Sequence, residues 1–414
     1  MFLICNDSHF VMSKIYLDYA ATTPTDPRVL KAMEPYFCQK FGNPSSIHSF
    51  GQETRKAIEK ARQQVADLIG AHSEEIVFTS GGTEANNFAL KGAAYALKDK
   101  GNHIIVSTIE HHAILEPCKF LEKQGFKVTY LSVDRDGIIN INELKRVLRP
   151  ETILVSIMHA NNEIGTIQPI AEIANIIRNF RNSKSETLNS KQIPNFKFQT
   201  PLFHTDAVQT VGHLPIDVGK LGVDLLSISA HKFYGPKGVG ALYIRKGIKI
   251  ESFLHGGEQE RNRRASTENV PGIVGFGQAA ELVKKEIKKE IKQLTGLRDY
   301  FIKKNLAEIK DVQLNGDPIQ RLPNNINFSI KGVEGEAMLL SLDQDGIACS
   351  TGSACSSSTL EPSHVLLALG LSEEVAHSSL RFSLGRYTTK KDLDYTIEKL
   401  KIIVNRLRKI SPIY

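Results

Sequence analysis

At 414 residues, with 41% hydrophobic and 23% charged side chains, the chain is long enough for two domains with sizeable cores and has the make-up of an ordinary soluble protein. No apolar run approaches the roughly 18 residues that a membrane span requires, so no membrane association is expected. The 52 Lys and Arg against 45 Asp and Glu give a net charge of +7, but the basic residues are scattered or mixed with glutamate, and no basic stripe interleaved with aromatics points to nucleic acid.

The opening MFLICNDSHFVM is mildly apolar, yet it has no basic leader and contains Asp7. It does not read as a signal or transit peptide, and Met12 is an alternative start. The five cysteines, Cys5, Cys38, Cys118, Cys349 and Cys355, form neither a CxxC pair nor a His-Cys metal spacing. They read as thiols of a reducing compartment, and no metal site is expected. KIYLDYAATTP, from Lys14, reads as a strand, and FGNPSSIHSFG, from Phe41, as a loop. Ala57, Ala61, Val65 and Leu68 then recur three and four apart and Gly70 follows, which predicts an amphipathic helix over 54–69 with a glycine cap.

The next unit, EEIVFTS then GGTEANN then FALKGAAYALKDKG, is strand, glycine turn and helix. Gly81 and Gly82 let the backbone approach an anion, and the helix amides with the Thr83 hydroxyl can hold phosphate oxygens. The spacing is neither GxGxxG nor a P-loop, and alone such a turn can be only a turn. HIIVSTIE is a strand leading to His111 and His112, which point in different directions and make poor joint metal ligands. LVSIMHANNEIGTIQPI is a strand followed by a polar turn holding Asn162. From 179 to 200 the chain is polar and aperiodic, and it reads as a surface insertion of no assigned function.

Two short strands follow. LFHTDAVQ (202–209) ends in Asp206, with Gln209 three residues later, and DLLSISAHKFYGPKGVG (224–240) stops at His231 and Lys232. A lysine at the mouth of a buried strand is partly desolvated, which lowers its pKa and frees an amine to bond an aldehyde; as an isolated feature it could also begin a solvated loop. Pyridoxal phosphate (PLP) chemistry needs such a lysine and a carboxylate that keeps the pyridine nitrogen protonated. Asp206 and Lys232, each at a strand end, supply that pair.

FLHGGEQERNRRASTENVPG, from Phe253, is a polar segment, and KKEIKKEIKQL with Ile287, Ile291 and Leu294 on one face predicts a long helix. NNINFSIKG reads as a strand, GEAMLLSLD as a helix, and TTKKDLDYTIEKLKIIVNRLRKI as a closing capped helix, together a smaller α+β unit. Within it, the residues from Ser350 to Thr359 have little to bury. Cys355, in their midst, is no packing residue and reads as a reactive thiol.

From YLDYAATTP at Tyr16 to RFSLGRYTT at Arg381, these motifs resemble the class V aminotransferase group of fold-type I PLP enzymes, most closely the cysteine desulfurases of the NifS/IscS kind. The resemblance implies an α/β, aspartate aminotransferase-like fold, with a large mixed-sheet α/β/α domain over 26–275 and a smaller α+β domain over 276–414. The latter carries the cysteine loop 349–360, and segment 1–25 packs with it. EHHA matches the group's Glu-His-x-Ala, which implies that His111 stacks on the pyridine and moves protons. Asn162 is implied to reach the cofactor's phenolic oxygen and the substrate carboxylate, Gln209 to position the ring, and Gly82, Thr83, Ser229 and His231 to bind the phosphate. Thr267 is implied to cross a dimer interface to the partner subunit's phosphate. STGSACSS resembles the loop whose cysteine takes sulfur, the place of Cys355, while Cys349 reads as a buried neighbour. Arg381 matches the arginine that binds the substrate carboxylate, for which its planar fork is suited; from its residues alone a structural salt bridge stays open.

The activity so implied turns L-cysteine into L-alanine and a persulfide on Cys355. A cytoplasmic homodimer would pass that sulfur to an iron-sulfur scaffold protein or to tRNA-thiolation acceptors. The rival readings are another class V enzyme, an aminotransferase or selenocysteine lyase, and a non-catalytic sulfur-assembly scaffold. A transaminase has no use for a thiol in a serine-rich loop, and intact Lys232, Asp206, His111 and Cys355 argue against a decayed scaffold.

Overall fold

The computed structural model describes residues 14–187, 200–351 and 361–410. Its short apolar runs form strands, among them β1 (Ile15–Tyr16), β2 (Ile76–Thr79), β3 (His103–Ser107), β4 (Lys127–Leu131), β5 (Thr152–Ser156), β6 (Leu202–Asp206), β7 (Leu225–Ser229) and β8 (Gly240–Ile244). β2 through β8 make one sheet in the order β2-β8-β7-β6-β5-β3-β4, in which β8 runs antiparallel to both neighbours and every other pair is parallel. Side chains alternate across it. Ile76, Phe78, Ile105 and Leu226 enter the core on one face, and Val77, Ile104, Val106 and Leu225 the core on the other. Covering both faces explains why HIIVS, TILVS and LLSIS are buried along their whole length. β2, β3, β5, β6 and β7 share one direction, so that all five end at one edge.

The predicted helix over 54–69 begins earlier, at Ser49, because His48 caps it by accepting from Gly51 N–H through Nδ1 (3.4 Å), and it ends at Gly70, left-handed at φ +70°. Among the described residues no helix is long and apolar enough to cross a membrane.

A second core forms around β9 (Val312–Leu314), β10 (Asn325–Ile330) and β12 (Ser379–Ser383), an antiparallel trio, and around β1 paired in parallel with β11 (Ile347–Ala348). Leu17, Phe301, Phe328, Phe382 and Leu400 are fully buried there. The closing helix Lys390–Ile410 starts with a reciprocal cap, in which Asp392 accepts from Thr389 N–H (2.8 Å) and Thr389 Oγ1 from Asp392 N–H (3.3 Å).

Two sequence expectations meet a different geometry. Helix Val270–Glu308 runs continuously between the cores, with Ile273, Phe276 and Val283 in the first and Leu294 and Phe301 in the second, so the division expected at residue 275 falls inside one helix. The segment expected to be an insertion from 179 begins as helix, since Ile170–Thr187 is continuous. Arg181 explains the extension: 8% exposed, it donates to the Pro201 carbonyl (2.9 Å from Nε) and to the fully buried Asp224 carboxylate. A polar helix surface that seats a buried ion pair shows no apolar period. Residues 188–199 lie outside the described residues.

Candidate active site

The turns that follow β2, β3, β5, β6 and β7 converge, at their shared edge, on a cavity of about 270 Å³. A wider hollow of about 720 Å³, between Lys331–Glu334 and Ser372–Ser378, contains none of the groups described next.

After β2 the chain turns at Gly81 and Gly82 into helix Gly82–Ala96. The turn lies flat on the sheet because it and its neighbour carry no side chains: a Cβ on Gly82 would stand 2.7 Å from Val208 Cγ2, and one on Gly240 only 2.7 Å from Gly81 Cα. Thr83 opens into the cavity, as does Ser229 at the end of β7. Ser229 is 1% exposed, and its Oγ has no hydrogen-bond partner among the described residues.

Asp206 ends β6. Its Oδ2 accepts from Asn86 Nδ2 (2.6 Å) and its Oδ1 from Val208 N–H (2.9 Å), which fixes the carboxylate in the cavity wall. Gln209, one turn on, donates to the Ala20 carbonyl (3.1 Å). Lys232 follows β7, and its Nζ donates to the carbonyls of Ala20 (2.7 Å) and Ala21 (2.8 Å), so the ammonium is held by neutral main chain at the cavity floor. His231 reaches the Thr22 hydroxyl through Nδ1 (3.1 Å), and burial with the neighbouring Lys232 charge pushes it down to about 4. His111 lies four residues beyond β3, not on it: it caps helix His112–Lys123, Nδ1 accepting from Ala113 N–H (3.0 Å). Burial lowers its pKa, although Asp206 pulls the other way, so the ring is neutral with its proton on Nε2.

The opposite wall belongs to Arg381, on β12 and 3% exposed, which donates to Asp18 Oδ1 (2.9 Å) and to the Asn162 carbonyl (3.1 Å). Beneath lie two buried carboxyls. Glu110 accepts from Ser107 Oγ (2.6 Å) and Met158 N–H (2.9 Å), and burial pushes it up to about 8. Glu163 accepts from Ser363 Oγ and is pushed up to about 7, again by burial.

The cavity thus gathers Gly82, Thr83, His111, Asn162, Asp206, Gln209, Ser229, His231, Lys232 and Arg381, all anticipated from sequence. Thr267 is exposed, in a stretch without regular structure just before helix Val270–Glu308, and is not in its wall. Cys355 lies outside the described residues. Cys349, which does not, is partly buried against the second core, and burial pushes its thiol up to about 12. No group of three or more His, Cys, Asp or Glu that could hold a metal occurs among the described residues. Sequence reasoning missed Asn86 and Asp18, although both lie inside motifs it quoted. Asn86 is four residues past Gly82, one helical turn along the same face, which is the signal that could have found it.

The chain belongs to the aminotransferase class-V family, which matches residues 15–184 and 190–396. It is 60% identical over 399 residues to the cysteine desulfurase IscS of Dictyoglomus turgidum, covering 96% of each chain. Among solved structures it superimposes on a NifS-like protein with a TM-score of 0.85 at 38% identity, covering 95% of this chain and 100% of that one. It also superimposes on SspA in complex with cysteine, at 0.77 and 36%, covering 91% and 100%. The chain stands among the cysteine desulfurases of the IscS and NifS kind; it is a PLP enzyme with the fold-type I architecture expected from its motifs.

The residues fit that cofactor. The buried Ser229 hydroxyl, which has no hydrogen-bond partner among the described residues and stands beside a glycine turn at a helix N-terminus, suits an anion, while Asp206 and Lys232 give the cavity one carboxylate and one amine.

Proposed function

We propose that this cavity binds L-cysteine and removes its sulfur, leaving L-alanine, with the sulfur taken by Cys355. The single observation that carries this reading is the convergence of Lys232, Asp206, His111 and Arg381 on one 270 Å³ cavity. When bound, PLP supplies an electron sink for charge developing at the substrate Cα. Gly82, Thr83, Ser229 and His231 would hold its phosphate, Asp206 would keep the ring nitrogen protonated, and Asn162 and Gln209 would position the ring. Thr267 serves the partner subunit's phosphate in a homodimer.

Arg381 fixes the substrate carboxylate with guanidinium donors that Asp18 and the Asn162 carbonyl hold in place. Lys232 moves the Cα proton at Nζ, and neutral His111 holds a proton at Nε2. Cys355, as thiolate, attacks the substrate sulfur; the S–S bond forms as the C–S bond breaks, and its electron pair ends as a C–H bond of alanine. Residues 26–275 make most of the cofactor-binding part, helix Val270–Glu308 joins it to the rest, and the remainder of 276–414, with the N-terminal segment 1–25, makes the part that carries the thiol. The solved relative that holds cysteine supports the substrate. The IscS name of its relatives supports delivery to an iron-sulfur scaffold protein, while tRNA-thiolation acceptors and a cytoplasmic location rest on the motif resemblance alone.

The test mixes the purified yellow protein with L-cysteine, quantifies alanine and reads Cys355 by mass spectrometry. Alanine in step with a persulfide on Cys355 is expected. Bound PLP without alanine would leave the cofactor site standing and remove the desulfurase chemistry.

A further inference from the structure

The turn that leads into helix Gly82–Ala96 carries a negative charge where an anion site is least served by one. Glu84 stands in the helix's first turn, one residue past Thr83, and its Oε2 accepts from Ser80 N–H (2.8 Å). Burial pushes this carboxyl up, but hydrogen bonds from Arg264 and Ser80 outweigh that and hold it below its usual range, so it is ionised. Arg264 grips both its oxygens, Nε on Oε1 at 2.8 Å and Nη2 on Oε2 at 3.1 Å, with only 17% and 10% of the two side chains exposed.

Arg264 itself is delivered by an unusual backbone. Glu260, Arg261 and Asn262 are left-handed, at φ +48°, +60° and +62°, and Ser266 stands at +103°. Such a path persists only where its surroundings fix it. Here Glu260, 6% exposed, accepts from Nη1 and Nη2 of Arg62 (2.6 and 2.8 Å) and from the Phe78 N–H (2.8 Å). The segment is therefore pinned to β2, just before the glycine turn, and Arg264 reaches Glu84 without entering the cavity wall.

We propose that Arg264 is a positioning residue for the cofactor phosphate: by cancelling the Glu84 charge it lets the Thr83 hydroxyl and the helix amides meet a dianion with no carboxylate opposing them. Glu84 stays because its oxygen caps Ser80, and Arg264 removes the electrostatic consequence. This rests on the reading that places the phosphate at Gly82 and Thr83.

The experiment titrates the cofactor-free full chain with PLP and, separately, with pyridoxal, which lacks the phosphate. Arg264→Met is expected to weaken PLP binding about fivefold to tenfold and to leave pyridoxal binding unchanged. The double variant Glu84→Gln/Arg264→Met regains PLP binding, since the amide still accepts from Ser80 N–H without the charge, and Arg264→Lys keeps most of it. Equal losses for PLP and pyridoxal, or no recovery in the double variant, would overturn the role of Arg264, because a merely structural ion pair behaves that way. Thr83→Val must itself erode the preference for PLP over pyridoxal. If it does not, the phosphate placement falls, and the proposal with it.

Discussion

The lysine end and the arginine end of the cavity hold their charges by different means. At the lysine end, Asp206 ends a strand of the large sheet and Lys232 follows another, each within three residues of another wall residue, and neutral groups hold them: an amide from Asn86 and the carbonyls of Ala20 and Ala21. At the arginine end, Arg381 is held by an opposite charge, Asp18, 363 positions away in sequence. A charge held by neutral dipoles stays available to a bound group, whereas a charge held by a counter-ion is fixed in direction but shared. The first arrangement suits the groups proposed to do the chemistry, and the second suits the group proposed to orient the substrate.

That contrast predicts a ranking of effects. Lys232→Ala removes the amine proposed to move the Cα proton, and turnover should fall by roughly 10³–10⁴-fold, with loss of the absorbance of covalently bound PLP. An undiminished absorbance would move the cofactor lysine elsewhere. Arg381→Ala should reduce kcat/KM for cysteine on the order of 10²-fold while leaving PLP binding intact. Cysteamine, which has no carboxylate, should be handled equally by both proteins, and an equal loss on it would make Arg381 structural. Asp18→Asn keeps a hydrogen bond to Arg381 but removes the charge, so about a tenfold loss is expected, chiefly in KM. A change confined to kcat would break the division of labour between the two ends.

The smallest effect concerns stability, beneath both ends. Glu110 is protonated in the folded chain up to about pH 8, against an ordinary value of 4.5. Between those values the unfolded chain has released this proton and the folded chain has not, so this group makes the wild type less stable as pH rises. Glu110→Gln has no proton to release and should gain on the wild type across that window, by at most about 1.4 kcal/mol per pH unit. Urea midpoints from pH 5 to 8 give the comparison, and parallel curves would show that Glu110 is ionised.

The lysine end was legible in sequence because its residues are local to strand ends: GGT, HTDAVQ and SAHK each carry their own chemistry and each lies at the sheet edge. At the arginine end, Arg381 was visible as a residue type, but its partner Asp18 was not, since nothing local marks an ion pair spanning most of the chain. Asn86 was hidden for another reason. An asparagine in a helix reads as surface until a buried carboxylate is found above it. The helical start of the polar stretch after 179 escaped because Arg181 satisfies Asp224 through a tertiary contact that no periodicity records.

The short pairing of β1 with β11 carries a consequence for how the protein is made. Ile15 and Tyr16 lie beside Ile347 and Ala348, and the next few residues supply Asp18 and the two carbonyls that hold Lys232. The first of these partners leaves the ribosome more than three hundred residues before the last, so the strap stays undocked through most of synthesis. A nascent chain that has already folded its large sheet still lacks its arginine wall and the dock for its strap. Full capture of cofactor and substrate therefore waits until β11 and Arg381 have been made and have docked.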